Sequence, residues 1–477
     1  MKLKQYLECN ESFFSWLDKV PPHWDMRKLR TMLKPCNRRN HPNLPLLSVV
    51  REKGIIKRNV ENRDENYNYV PDDLSNYKVV KEGQFVINKM KSWQGSYGIS
   101  PYDGIVSPAY YVFDCNNVCP DYFHIAIRSR AYVPFFSQAS DGVRVGQWDL
   151  SITRMKEIPF AIPTEGEQKT IVAFIRSKEK KIAKFIRNKR RLIQLLKEQK
   201  QIIINQAMTR GIDPNVKMKP SGVDWLGDIP EHWEIRRLRT VAFVRPSGVD
   251  KNTNEGEVPV KLCNYVDVYK NERILHTMDF MNATATPDEI TKFELKSGDV
   301  LITKDSEMWN DIAVPAFIPQ NMPGVICAYH LAIIRPMNID GEFLFRAFLA
   351  ESVADQFRVS ANGVTRYGLS QGAIKGAWFP IPPKEEQTKI VEYINQNLSK
   401  IYLAIEKSKR EIELIREYRT SLISDVVTGK VDVRNIKVED VAEKELLEDM
   451  PDAEETPAYA EASAGREELE DSLEDGK

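Results

Sequence analysis

Residues 163–211 read PTEGEQKTIVAFIRSKEKKIAKFIRNKRRLIQLLKEQKQIIINQAMTRG, which is the pattern of one long helix. The segment opens with Pro163, Thr164 and Glu167, and this spacing predicts a capping box at the start of the helix. After the first two turns, no Gly or Pro interrupts the segment before Gly211. A helix of this length spans roughly 65 Å and needs a partner along most of it.

Apolar residues recur in this segment at coiled-coil spacing. The predicted seam residues are Ile171, Ile175, Ile182, Phe185, Leu192, Leu196 and Ile203. Lys178, Lys189 and Gln199 fill the seam positions in between, so the seam is imperfect.

The same pattern returns 219 residues later in the chain. Matching pairs include Pro163 with Pro382, Glu167 with Glu386, Gln168 with Gln387, Ile175 with Ile394, Ile182 with Ile401, and Leu196 with Ile415. A repeat of such a long period indicates a duplicated domain unit. We predict that the two helices form an antiparallel pair, with a globular segment at each end of it. The alternative is that they are ordinary surface helices on separate domains.

Bulk composition is that of a globular chain with room for two or three domains. The 477 residues are 42% hydrophobic and 29% charged. No apolar run reaches the length of a membrane span, and the N-terminus lacks a signal-peptide hydrophobic block. We therefore expect a cytoplasmic protein.

The formal net charge of zero conceals a basic body and an acidic tail. Residues 437–477 contain 16 acidic and 4 basic residues, a net charge of −12. Residues 1–436 contain the other 52 acidic and 64 basic residues, a net charge of +12. A basic body favours a polyanionic partner. The tail, which we place at 433–477, is predicted to be disordered in large part.

A second duplicated signature precedes each globular segment. Pro21-Pro22-His23-Trp24 corresponds to Pro230-Glu231-His232-Trp233, and a basic strand follows each of them. We interpret the tryptophan as packed beneath a turn set by the proline. The cations that follow either face phosphate or form the solvated side of the strand.

Each globular segment alternates short β-rich runs with turns. The predicted strands are Leu46–Val50, Phe85–Met90, Tyr110–Phe113, Val258–Cys263, Val300–Lys304, Ile312–Ile318 and Val325–Arg335. The predicted helices are Asp121–Arg130 and Glu342–Phe357. The strands that begin after Gly83 and Gly298 both end in a lysine and enter a polar loop. Between these landmarks the two segments differ strongly, as expected of modules that recognise different things.

Motifs for catalysis are missing. The sequence contains no Walker loop, no glycine-rich cofactor fingerprint, no paired-histidine zinc motif and no nucleophile elbow. Cys115 and Cys119 lie four residues apart, but no second pair or nearby histidine completes a zinc set, so reduced thiols are expected. Asp299 with Lys304 has only a faint likeness to a nuclease acid–lysine pairing.

Polar loops that mix cations, amides, hydroxyls and aromatics are better candidates for function. Such groups contact phosphates and the major-groove edges of bases. The predicted DNA-binding residues are Arg38, Arg39, Lys89, Lys91, Trp93, Gln94, Ser96, Tyr97, Arg144, Gln147, Lys304, Ser306, Trp309, Asn310, Asn362, Thr365, Arg366 and Tyr367. The alternative for each of them is a polar turn with a packed aromatic side chain.

The duplicated signatures together resemble the DNA-specificity subunits of type I restriction-modification systems. The resemblance covers residues 19–432. It rests on Pro-x-His-Trp with its basic strand, on the strands that begin at Gly83 and Gly298, and on Ile-Pro-x-x-x-Glu-Gln before each long helix (Ile162–Gln168, Ile381–Gln387). Gln84 departs from the family pattern, which has an acidic residue there, so the geometry of the first loop is in question.

The resemblance implies an α/β fold in which two target-recognition domains are separated by a pair of long antiparallel coiled-coil helices, in a pseudo-twofold arrangement. The implied boundaries are 1–162 for the first domain, 163–212 for the first helix, 213–381 for the second domain and 382–432 for the second helix.

The resemblance also implies a function and partners. Each domain is expected to read one half of an asymmetric, bipartite double-stranded DNA site. Two modification subunits with S-adenosylmethionine, and restriction subunits using ATP and Mg²⁺, are the expected partners. No cofactor, metal or catalytic residue is expected in this chain. Two other interpretations remain, a coiled-coil scaffold that binds proteins and the recognition half of a type II-like methyltransferase system.

Overall fold

The computed structural model describes residues 4–6, 10–11, 19–51, 53–58, 71, 73–142 and 148–436. The chain divides into two compact units. Unit 1 consists of the described residues up to 189 together with 409–436, and unit 2 consists of residues 190–408. The sheets and helices below confirm the predicted α/β class.

Each unit is built on a four-stranded antiparallel sheet, which we call the frame. In unit 1 the strand order is Leu33–Cys36, Tyr110–Cys115, Phe85–Asn88, Tyr97–Ile99. In unit 2 it is Ala242–Pro246, Leu331–Pro336, Val300–Thr303, Pro315–Phe317. The order along the chain and the order in the sheet are the same in both frames, so the duplication predicted from the sequence extends to the topology.

The frames carry different additions. In unit 1 the additions are the strand pairs Leu47–Val50 with Gly54–Lys57 and Lys78–Val80 with Gly104–Val106. In unit 2 a second four-stranded sheet is present, in the order Met281–Ala285, Val258–Cys263, Met322–Cys327, Glu294–Leu295. This second sheet packs on the frame through a shared apolar core, in which Leu262 and Ile326 of the second sheet and Leu301 of the frame are fully buried.

The remaining elements are short. In unit 1 they are the strands Asn10–Glu11, Lys19–Val20, Asp25–Lys28, Ser140–Asp141, Asp149–Leu150 and Pro159–Ile162, and the helices Pro120–Ile127, Val133–Gln138 and Ile152–Lys156. In unit 2 they are the strands Met218–Pro220, Asp228–Pro230, Glu234–Arg237, Asp305–Ser306, Tyr367–Gly368 and Trp378–Ile381, and the helices Tyr265–Lys270, Pro287–Phe293, Gly341–Phe348, Glu351–Ser360 and Gln371–Gly376.

The two long helices are present, at Glu165–Arg210 and Lys384–Val427. In unit 1 the first long helix binds the second through Glu179 with Arg419 and Lys189 with Glu411, so the two run antiparallel there. In unit 2 the Lys200 ammonium lies 5.0 Å from the centre of the Tyr402 ring.

The seam of the second long helix follows the predicted spacing except at Ile415, which is only half-buried. Its buried apolar residues are Ile390, Val391, Ile394, Leu398, Ile401, Ile405, Ile412, Leu422, Val426 and Val427. On the first long helix, the prediction is wrong at Phe185 and Leu192, which are 36% and 40% exposed. Ile193, one residue further on, packs against the core of unit 2 instead.

The Glu-Gln pair at the start of each long helix fastens the helix to its unit. Contrary to the predicted capping box, the carboxylate of Glu167 binds the His23 ring (2.9 Å) and the Tyr6 hydroxyl. Gln168 donates to the Pro163 carbonyl (2.9 Å) and accepts from the Cys119 amide (2.8 Å). The carboxylate therefore serves tertiary structure, because side-chain donors reach it in a buried place.

The same contacts recur at the second long helix. Glu386 binds the His232 ring (2.7 Å) and the Trp233 indole N–H (3.1 Å). Gln387 donates to the Pro382 carbonyl (2.9 Å) and accepts from the Asp340 amide (2.9 Å). The histidine, the tryptophan and the Glu-Gln pair are thus parts of one joint, which explains why they are duplicated together.

The end of the opposite long helix meets each joint. At Gly211 (φ +73°) a Cβ atom would lie 3.3 Å from the Trp233 ring. At Gly429 (φ +75°) it would lie 2.4 Å from Pro21. The positive φ and the close ring leave room only for glycine after each helix. Trp24 (6% exposed) and Trp233 (fully buried) pack in these joints, as predicted.

Two predicted elements of unit 2 are each divided in two. The run Val325–Arg335 forms two strands because the chain turns at residues 328–330. The run Glu342–Phe357 forms two helices that meet at Leu349 and Ala350. At that break Gln201 donates to the Leu349 carbonyl (2.8 Å) and Asn205 accepts from the Glu351 amide (2.9 Å). The first long helix thus satisfies the backbone groups that the break exposes.

The substitution at Gln84 leaves the loop geometry intact. Gln84 accepts from the Lys81 amide at 2.8 Å, and Asp299 accepts from the Lys296 amide at 2.8 Å. Gly83 and Gly298 precede them with φ of +83° and +89°. The strand that follows is Phe85–Asn88 in unit 1 and Val300–Thr303 in unit 2, and we call it the central strand of the frame. Both units therefore enter the central strand through the same turn.

Candidate nucleic-acid interface

In unit 1 the described residues that flank the predicted Gly142–Gln147 loop, in which 143–147 lie outside the described part of the chain, reach the other predicted loop. The hairpin of Ser140–Asp141 and Asp149–Leu150 lies beside the segment that follows the central strand. The Leu150 amide donates to the Lys89 carbonyl at 3.1 Å. The Lys89 ammonium lies 2.5 Å from the Asp149 carboxylate, and this hydrogen bond raises the pKa of Lys89.

Two tryptophans meet where these loops join. The ring centres of Trp93 and Trp148 are 5.1 Å apart, with the planes tilted by 46°. Trp93 and Gln94 are half-buried, and Lys91 beside them is exposed. Trp148 was not among the predicted residues, although it directly follows the Gly142–Gln147 loop in the sequence. Paired indoles beside the exposed Lys91 form a surface suited to apolar and polar contacts with DNA.

The predictions for Ser96 and Tyr97 are wrong, because both side chains are buried. Tyr97 begins a strand of the frame, is fully buried and stacks on Phe136 with ring centres 4.1 Å apart. Arg38 and Arg39 are exposed. Arg144 and Gln147 lie outside the described residues.

In unit 2 the corresponding loops come together by the same bond. The Leu369 amide donates to the Lys304 carbonyl at 2.8 Å, as Leu150 does to Lys89. Asp305–Ser306 then pairs antiparallel with Tyr367–Gly368. This pairing buries Ser306, so the prediction for Ser306 is also wrong.

The other predicted residues of unit 2 lie on the surface. Met308 and Trp309 are 57% and 53% exposed, and Asn310 beside them is exposed. Asn362, Thr365 and Arg366 are exposed, while Lys304 and Tyr367 are half-buried. An exposed indole and an exposed guanidinium on neighbouring loops match the side chains that read DNA.

Glycine shapes the arginine loop of unit 2. At Gly363 (φ +151°) a Cβ atom would lie 1.9 Å from the Arg366 carbonyl oxygen. The loop therefore closes tightly enough to exclude a side chain at this position. It leaves Val364 95% exposed, with Thr365 and Arg366 next to it.

A polar cluster that was not predicted from the sequence lies beneath this loop. The His330 Nδ1 atom lies 2.8 Å from the Asp305 carboxylate, and Arg366 Nη2 lies 3.3 Å from both ring nitrogens of His330. His330 was hidden inside the apparent strand Val325–Arg335. A polar Ala-Tyr-His sequence at 328–330, within an otherwise apolar run, was the signal that could have revealed it.

The described part of the chain contains no cluster of His, Cys, Asp and Glu that could hold a metal ion. Within those same residues, no helix is apolar over a length that would cross a membrane.

Comparison with known proteins gives a consistent picture. Residues 230–414 match the model of the type I restriction modification DNA specificity domain. The chain is 22% identical over 387 residues to the type I restriction enzyme MjaVIII specificity subunit of Methanocaldococcus jannaschii, with 77% of this chain and 85% of that protein covered. It is 21% identical over 230 residues to the putative MjaX specificity subunit of the same organism, with 46% and 51% covered.

Similarity to a solved structure supports the fold. The chain aligns with a chain from a structural study of complex assembly and conformational transition of the type I restriction-modification system, with a TM-score of 0.63 and 15% identity. The alignment covers 87% of this chain and all of that one. The matches confirm the resemblance to type I specificity subunits that the duplicated motifs predicted.

Proposed function

Given this resemblance to type I specificity subunits, we propose that the chain recognises an asymmetric, bipartite double-stranded DNA sequence. Unit 1 reads one half of the site and unit 2 reads the other half. The proposal rests on the presence of the same frame in both units. In each unit the same backbone hydrogen bond joins two loops, and the side chains of these loops differ between the units. The bond from Leu150 to Lys89 is repeated from Leu369 to Lys304, yet one junction carries paired tryptophans and the other an exposed tryptophan with an arginine loop.

The chemistry of recognition follows from these side chains. Arg366 and Asn362 have the groups that bind guanine and adenine edges bidentately in the major groove. Lys91 and the exposed arginines Arg38 and Arg39 bind phosphates and set the position of unit 1 on the duplex.

The chain acts without catalysis of its own. Partner subunits supply S-adenosylmethionine-dependent adenine methylation, and others supply ATP- and Mg²⁺-dependent restriction in the cytoplasm. Exposed apolar residues on the long helices favour protein partners there. Ile202 and Leu403 are 62% and 72% exposed.

Methylome sequencing of a host that carries the chain with its modification subunits tests the proposal. The expected result is one methylated-adenine motif in two parts, separated by unread bases. Exchanging residues 304–311 and 362–368 for those of another specificity subunit should change one part and leave the other. A contiguous motif, or no motif, would contradict the proposal.

The long helices are proposed to set the spacer between the two parts. A four-residue insertion near Lys189 lengthens the first helix by about 6 Å, but it rotates the rest of the seam by about 50° relative to the 3.5-residue period. Seven residues inserted after both Lys189 and Ser408 keep the 3.5-residue seam period and add about 10 Å. We expect the unread spacer to grow by about three base pairs, at 3.4 Å per pair, with unchanged flanking bases. Altered base preferences would contradict this role of the helices.

The alternative, a coiled-coil scaffold that binds only proteins, predicts a different outcome. Such a scaffold gives no sequence-selective DNA footprint, and weak DNA association would not depend on the identity of the loops. Phosphate contacts, by contrast, make the affinity fall steeply with salt. Non-specific association of a basic chain shares this salt dependence, so the measurement that separates the two functions is the affinity for the motif relative to unrelated DNA at one fixed salt concentration.

A further inference from the structure

Three separate chain segments converge beneath the arginine loop of unit 2. Asp305 follows the central strand, His330 precedes the strand Leu331–Pro336, and Arg366 lies in the loop before Tyr367–Gly368. The Lys304 amide donates to the His330 carbonyl at 3.0 Å, and Asp305 pairs with Gly368. Backbone hydrogen bonds therefore hold the three segments together independently of their side chains.

The side chains form an ordered series from the sheet to the surface. Asp305 and His330 are partly buried, with side chains 26% and 19% exposed. Because a carboxylate only accepts hydrogen bonds, the proton on the histidine lies on Nδ1, 2.8 Å from Asp305. The partly buried carboxylate thus fixes both the orientation and the tautomer of the ring.

Arg366 rests on that ring. Its Nη2 atom is 3.3 Å from both ring nitrogens, so it lies over the imidazole and not in line with either lone pair. The Tyr329 ring, 3.7 Å from the histidine between centres, packs beside it. The exposed guanidinium of Arg366 is held over an aromatic surface. Its side chain is therefore already ordered and has less conformational freedom to lose when it binds.

Unit 1 lacks this series of residues. Thr303 pairs with Leu331 in one frame and Asn88 pairs with Tyr110 in the other, so the positions of Asp305 and His330 correspond to Met90 and Ala109. The duplication therefore supplied the frame, and at these two described positions unit 1 has no counterpart of the Asp305–His330 pair.

We propose that Asp305 and His330 are positioning residues that hold Arg366 for contact with one guanine in the half-site read by unit 2. This inference rests on the proposed DNA-recognition function and adds the device that determines one base. A guanidinium binds guanine O6 and N7 bidentately, and a side chain held in place beforehand loses less freedom on binding. His330 itself touches Arg366 and not DNA.

The test measures the affinity of the chain, assembled with its modification subunits, for its methylated-motif sequence and for all single-base variants. Arg366→Ala should weaken binding 10- to 100-fold and abolish the preference for guanine at one position of one half-site. Asp305→Asn and His330→Ala should weaken binding several-fold and relax the same position. Neither should weaken binding further when combined with Arg366→Ala.

Two variants distinguish positioning from a structural role. His330→Asn keeps a donor near the place of Nδ1 and should rescue part of the guanine preference, whereas His330→Phe keeps a ring and loses the donor. Lys292→Ala removes a cation from an exposed helix of the same unit and serves as the matched control. A loss that spreads evenly over all sequences would make Arg366 a phosphate contact and overturn the inference.

The wild-type chain separates this inference from the function it rests on. If the wild-type complex shows no sequence preference, the proposed function fails. If it prefers its motif but Asp305→Asn and His330→Ala leave the guanine position unchanged, only the positioning inference fails.

Discussion

The central strands of the two frames begin with the same turn and stabilise it with opposite choices of charge. In unit 1 the Gln84 amide donates to the Asp114 carboxylate at 2.6 Å. In unit 2 the Asp299 carboxylate accepts two hydrogen bonds from the Arg335 guanidinium, at 2.8 and 2.7 Å. The strand register places each pair at the same position, so the acidic group has moved from one strand to its neighbour.

The comparison shows that the turn requires a side-chain oxygen at this position and does not require a charge. Both Gln84 and Asp299 offer a side-chain oxygen to a backbone amide three residues before them. The remaining atoms of each side chain need a partner on the adjacent strand because the site is buried. The partner then depends on the charge: an amide takes a carboxylate, and a carboxylate takes a guanidinium.

The largest expected effect is on the buried charge of unit 2. Arg335→Met leaves the Asp299 carboxylate, which is 1% exposed, without its cation. We expect a loss of about 3–5 kcal/mol in the free energy of unfolding of unit 2. The measurement is urea unfolding, with hydrogen exchange of the strand amides to assign the loss to unit 2.

The matched control lies in unit 1. Asp114→Ala leaves a neutral amide unpaired and should cost only about 1–3 kcal/mol. The double variant Asp299→Gln with Arg335→Asp transfers the unit 1 pair to unit 2 and should recover most of the stability. Equal losses for Arg335→Met and Asp114→Ala would show that charge does not distinguish the two frames.

A second difference between the units concerns acid. His124 in unit 1 accepts a hydrogen bond from the Ile99 amide through Nδ1, at 3.0 Å. Burial, together with Arg128 and Arg176, lowers the pKa of His124 to about 3. The corresponding residue of unit 2 is Phe345, because the Gln168 and Gln387 contacts align Cys119 with Asp340.

The sign of the pH effect follows from the lowered pKa. Between pH 6.5 and 3 the unfolded histidine binds a proton and the native one does not, so unit 1 loses stability as the pH falls. At pH 5 the loss is about 2 kcal/mol, from 1.36 kcal/mol per pH unit. His124→Gln keeps an acceptor that does not titrate, and it should remove this loss. Urea unfolding of the wild-type protein and of the variant at pH 7.5 and 5 measures this difference. If both lose the same free energy of unfolding between the two pH values, His124 is not the cause of the acid sensitivity.

How far the sequence determined these features depends on whether they are local. The long helices, the tryptophans packed beneath the duplicated turns and most frame strands were predictable, because periodicity and repeated motifs record them directly. The roles of Glu167 and Gln168 were not, because a capping box and a tertiary joint require the same residue types. Only the fold brings His23 and Tyr6 to the carboxylate.

The candidate interface shows the same limit. The loops around Trp93, Trp309 and Arg366 were found by composition, but composition did not separate exposed from buried members. Tyr97 and Ser306 looked equally suitable, and strand pairing buries both. His330 escaped notice because the turn at 328–330 contains no Gly or Pro, so the run resembled one strand.

The smallest effect that we expect is the difference in stability between variants of the two histidine–glutamate joints. The pair in unit 1 is more enclosed, since the Glu167 side chain is 3% exposed and the Glu386 side chain is 23% exposed. We expect His23→Ala to cost about 1–3 kcal/mol, because it leaves a buried acceptor with one partner fewer. His232→Ala should cost less than about 1 kcal/mol, as for a solvent-accessible pair.

Thermal unfolding of both variants measures this difference, and His23→Gln tests its origin. A glutamine at residue 23 can still donate to Glu167, so it should recover part of the loss without restoring a titratable group. If His232→Ala proves the more destabilising, enclosure is not what sets the strength of the joint. The Trp233 indole, which donates to Glu386 while the Trp24 indole finds no partner among the described residues, would then be the group that makes unit 2 depend on its glutamate.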